Sequence, residues 1–130
     1  MSATFSAVFE SAVLPHGTLG GDNPQLLRTR ESLDRLATKN GLTSLLAFES
    51  YAPEDVAGLI DDERLAELPP AVWFPAAAGV AAVNALYEYL ESHPGAFSRP
   101  AEVMAELSNL GDELEAAARA GVRFRLAVVM

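Results

Sequence analysis

The stretch "VRFRLAVVM", residues 122–130, constrains the fold more tightly than any other part of the chain. Val122, Phe124, Leu126, Val128 and Met130 alternate with Arg123 and Arg125, the period-two pattern of a strand with one apolar face. A single strand this apolar cannot stand alone in water; it requires partner strands and a layer to cover it. The rest of the chain must supply both.

A second alternating stretch is "ATFSAVFESAV", residues 3–13, where Ala3, Phe5, Ala7 and Phe9 alternate. Phe5, Val8, Phe9, Ala12 and Val13 also fit helical spacing, but Thr, Phe and Val favour an extended chain, and the stretch reads as a strand. The short apolar run "LTSLLAFES", residues 42–50, reads as a further, buried strand.

Three long segments carry helical periodicity. Asn23 followed by Pro24 signals a helix start, with Asn as the cap and Pro at the first helical position. That helix runs to Asn40, ends at Gly41, and presents Leu26, Leu33, Leu36 and Ala37 as its buried stripe. Residues 76–92 form the second, with Val80, Val83, Leu86, Tyr87 and Leu90 on one face. Its back face is apolar as well, built from Ala78, Ala81, Ala82, Ala85 and Tyr89, so the helix should be sandwiched between layers or lie against another subunit. The third opens near Ser98 and Pro100, and Val103, Leu107, Leu110, Leu114 and Ala117 keep one phase along it. Gly111 falls inside, at a cost of about 1 kcal/mol relative to Ala. The unbroken phase favours one helix with close packing at Gly111 over two helices split there. Residues 53–68 read as two short acidic helical turns.

Strands interleaved with helices predict a single two-layer α+β domain over residues 1–130, with α/β as its variant. The expected form is a sheet of about three or four strands against two long and one or two short helices.

The composition narrows the chemistry. With no cysteine, the chain has no disulfides, thiolate nucleophiles or zinc–thiolate sites. Glu10 interrupts the first apolar run and no basic residue precedes it, which argues against a secretory signal. No apolar run reaches bilayer-spanning length, and the expected location is cytoplasmic, away from membranes. A net charge of −9 argues against nucleic-acid binding, which needs clustered Lys and Arg. From Glu49 to Glu115 only Arg64 and Arg99 are basic. No cofactor is called for.

Few residues are arranged for catalysis. His16 and His93 sit in turns, and no serine lies in a nucleophile elbow. The loop "GTLGGDNP" lacks the Lys and the spacing of a phosphate loop and reads as a connection. Asp61, Asp62, Glu63 and Glu67 form an acidic face suited to a basic protein partner. Arg30 falls on the buried face of its helix, where a guanidinium needs a carboxylate or carbonyl partner, binds an anion, or extends to water along its stem. Trp73, fenced by prolines in "PPAVWFPAAAG", is expected mainly to fill the core while exposing an edge.

In acidity and size the chain resembles small bacterial immunity and accessory proteins, a likeness of composition. The leading expectation is a non-catalytic module that binds another protein, or itself as a homodimer, through the acidic region, the alanine-rich helix face and Tyr89. The second is a small-molecule binder whose pocket joins Trp73, Arg30 and Tyr51 or Tyr87. The third is an enzyme using His16 with nearby carboxylates.

Overall fold

The computed structural model describes residues 3–13, 17–52, 62–67, 69–97 and 99–129. They form a small α+β domain built on a three-stranded antiparallel sheet. Strand β1 (Thr4–Val13) is central; β2 (Gly17–Leu19) pairs on one side and β3 (Phe124–Val129) on the other. The β1–β3 ladder is regular from Thr4↔Val129 to Phe9↔Phe124. That register puts Phe5, Ala7, Phe9, Phe124, Leu126 and Val128 on one face, as the alternation dictates.

Helices cover that face. The two long ones, α4 (Ala76–Ser92) and α5 (Pro100–Ala120), pack on each other and on the sheet. The α4 side chains of Val83, Leu86 and Leu90 meet α5's Leu107, Leu110 and Leu114 in a single core, all nearly free of solvent contact. Helix α5 is continuous through Gly111. A methyl group there would meet Val83 Cγ1 at 3.4 Å, an ordinary contact, so the tight approach lies elsewhere. It lies at Gly79 of α4, where an added Cβ would stand 2.5 Å from Phe124 Cζ.

Several local expectations are corrected. The predicted helix over residues 24–40 is two segments, α1 (Pro24–Arg28) and α2 (Arg30–Lys39). Thr29 separates them: its hydroxyl donates back to the Gln25 carbonyl at 2.7 Å, a bond that bends helices. Asn23 does not cap α1 with its side chain, which turns inward to donate to the Phe5 carbonyl at 3.0 Å. Glu106 of α5 does that work instead, accepting from the backbone N–H groups of Gln25 (3.1 Å) and Leu26 (2.8 Å).

Residues 42–50 are not a strand. Leu45–Phe48 form a 3₁₀ turn, opened by Ser44 Oγ accepting from Leu46 N–H at 3.1 Å. Leu45 and Phe48, three apart, both reach the core, which the three-residue turn allows and an alternating strand would not. Strand β2 was unexpected, taking the first three residues of what reads as a plain connection. On the predicted back face of α4, Ala82 is in fact buried; Ala78 and Ala81 are exposed, and Ala85 and Tyr89 half-buried. Among the described residues, no helix is long and apolar enough to cross a membrane.

Candidate functional site

The polar side chains gather where β3 would otherwise present an open edge. Phe74 exchanges two backbone hydrogen bonds with Phe124, at 2.8 and 3.0 Å. The Ser50 N–H donates to the Leu126 carbonyl at 3.0 Å, and the Val128 N–H donates to the Tyr51 hydroxyl at 3.0 Å. An exposed strand edge invites pairing with other chains, and this one is closed by short segments from residues 49–51 and 74.

Tyr51 is held in turn by a charged pair. Its hydroxyl donates to Glu49 Oε1 at 2.9 Å, and the same oxygen accepts from Arg30 Nη1 at 2.8 Å. The Arg30 guanidinium also lies 5.6 Å from the centre of the Phe5 ring. Both partners of the pair are about one-quarter exposed, so the Arg30 stem packs while its head meets a carboxylate at the margin of the core. Burial pushes the Tyr51 phenol above its ordinary value of 10.0, opposed by the Val128 N–H and reinforced by the Glu49 carboxylate. The proton therefore stays on Tyr51, the form able to donate to Glu49.

Trp73 and Phe74 diverge at this edge. Phe74 enters the core, with ring centres 5.4 Å from Phe48 and 6.4 Å from Phe124. Trp73 is half-buried on the other face of the sheet, where its ring lies 5.2 Å from the guanidinium carbon of Arg125. Arg125 is 5% exposed and donates to the Ser50 carbonyl at 2.8 Å, although alternation alone would place it in solvent. Core filling thus falls to Phe74 and shielding of a buried cation to Trp73.

Of the residues considered for a ligand pocket, Arg30 and Tyr51 meet through Glu49, while Trp73 lies across the sheet from them. Tyr87 packs half-buried on the core from α4, outside this network. Tyr89 stacks on His93 with ring centres 4.1 Å apart, and His93 Nδ1 lies 2.9 Å from the Tyr89 carbonyl. Glu63 and Glu67 are exposed on the short helix α3 (Asp62–Glu67), of which Asp62 is the first residue. His16 and Asp61 lie outside the described residues. Among the described residues, no group of three His, Asp or Glu side chains could hold a metal ion.

The outward side of the first half of α4 is free of charge. Residues 69–87 contain no charged side chain, in a chain that is 21% charged. From this tract Val72 is 54% exposed, and Ala77, Ala78 and Ala81 face outward beside it. The exposed alanines adjoin a groove of about 320 Å³, bounded by Pro75 and Ala77 on one side and Ala118, Gly121 and Val122 on the other. Arg123 stands at its rim, paired with Glu10. Sequence periodicity had marked this helix as two-faced; the groove depends on where α5 ends and was not readable from the sequence.

No protein-family model matches the chain, and neither a curated protein nor a solved structure matches it.

Proposed function

We propose that the protein is a non-catalytic recognition module that associates with a second copy of itself across the uncharged outward surface of residues 69–87, the first half of α4 and the segment before it. One observation carries this reading: the first turns of α4 are apolar on both sides, with one side in the core and the other, Ala77, Ala78 and Ala81 with Val72 and the adjoining groove, open to solvent. Each copy carries a charge of −9, so like-charge repulsion opposes contact almost anywhere else, and residues 69–87 are where two copies can approach without it. Alanines let two helix backbones come close, and the groove can receive an apolar side chain from the partner.

The contact is small. The 17-residue α4 is about 25 Å long and only its first half is uncharged outward, so this face with the groove belongs to the class of weak, transient interfaces. Sedimentation equilibrium tests the reading: concentration-dependent dimerisation in the range of about 10–100 µM is expected, strengthening as salt screens the repulsion. Ala81→Glu, which adds charge at the centre of the face, should abolish it without lowering the melting temperature. A chain that stays monomeric throughout this range at high salt would overturn the proposal. If a basic protein were the natural partner instead, binding would weaken with salt, the opposite sign.

A further inference from the structure

Away from the α4 face, a cleft of about 300 Å³ opens between α1 and the first turn of α5, lined by Gln25, Arg28, Thr29, Phe97, Arg99 and Val103. Two cations share it. Arg99 is one of only two basic residues between Glu49 and Glu115, and the fold sets it on the same cleft as Arg28, far away in sequence. Nearby carboxylates do not neutralise them closely. Glu106 is engaged by the backbone N–H groups of Gln25 and Leu26, and Glu102 stands 3.8 Å from an Arg99 side chain that is 69% exposed. Among the described residues, no carboxylate pairs with Arg28. Two arginines lining one cleft in so acidic a chain make it a locally cationic surface suited to an anion.

The other walls limit what kind of anion fits. Val103 is buried and Phe97 half-buried against the core, giving the cleft an apolar floor. Its volume lies at the lower end of the range for small-molecule sites. We propose that this cleft binds a small phosphate monoester bearing an aromatic group. Two guanidinium groups match a phosphate carrying nearly two negative charges at neutral pH better than a singly charged carboxylate, and their planar forks donate paired hydrogen bonds to its oxygens. Phe97 supplies the surface for the ring. None of these residues belongs to the α4 face, so the site stands or falls independently of self-association.

Isothermal titration calorimetry on the full chain with phenyl phosphate, inorganic phosphate, benzoate and phenol tests the assignment. Phenyl phosphate should bind one-to-one and saturably, with inorganic phosphate and benzoate each about tenfold weaker, lacking the ring and the second charge respectively. Phenol should give no heat of binding. Arg28→Gln and Arg99→Gln should each weaken phenyl phosphate about tenfold, whereas Arg35→Gln, outside the cleft, should leave it unchanged. Arg28 and Arg99 are exposed, so both variants should keep the wild-type melting curve. Failure of phenyl phosphate to saturate by about 10 mM, or unchanged affinity in either cleft variant, would overturn the site.

Discussion

At the scale of single residues, Gly79 and Gly111 make opposite predictions from similar positions. Both are buried glycines inside long helices. At Gly79 a methyl group would collide with Phe124 Cζ at 2.5 Å and press on Leu114 Cδ1 at 3.0 Å, so either the helix must lift or the Phe124 ring must leave its contact with Phe48. Gly79→Ala should cost about 1–3 kcal/mol in urea unfolding, even after the gain in helix propensity. Gly111→Ala meets only Val83 Cγ1 at an ordinary distance, and should stabilise by about 0.5–1 kcal/mol. Tyr51 adds a pH dependence. Removing its hydroxyl leaves the Val128 N–H without its acceptor and Glu49 Oε1 with Arg30 as its remaining donor, and Tyr51→Phe should cost about 1 kcal/mol at neutral pH. The folded phenol ionises above 10.0 while the unfolded one ionises near it. This stabilisation is therefore complete below pH 10 and is lost as pH rises through the folded value. The stability gap between wild type and Tyr51→Phe should hold up to about pH 10 and narrow as the pH rises further.

At the scale of elements, Glu106 connects α5 to the start of α1. Glu106→Gln replaces a charged acceptor with a neutral amide before the Gln25 and Leu26 N–H groups, and a loss of about 1 kcal/mol in chemical denaturation is expected. The elements that were legible in the sequence are those whose period repeats several times. Strand β1, strand β3, α4 and α5 fall there, and Gly111 left no break. Elements set by one or two bonds were not legible. The run at residues 45–48 is too short to show a period, and the Ser44 cap decided its form. The break at Thr29 came from one hydroxyl turned back on Gln25. The candidate polar site divided in the same way. Periodicity placed Arg30 on the inner face, where it requires a partner. That the partner is Glu49, and that Arg125 is hidden beneath Trp73, depends on side chains brought together from distant parts of the chain.

At the scale of the whole molecule, charge and topology set the behaviour. Eighteen acidic residues face nine basic ones, and two of the four ion pairs among the described residues are loose contacts at 3.8 Å. Repulsion among the surplus carboxylates works against the compact state, and salt screens it. The midpoint of thermal unfolding should therefore rise by about 2–5 °C between low and moderate salt, as scanning calorimetry would record. Topology acts during synthesis. The central strand finds its long partner only in residues 124–129, so Phe5, Ala7 and Phe9 leave the ribosome with only the three-residue β2 to pair against. At ordinary translation rates that wait lasts roughly ten seconds. Over that interval the nascent chain displays a naked aromatic ribbon, an attractive client for any chaperone stationed at the tunnel mouth.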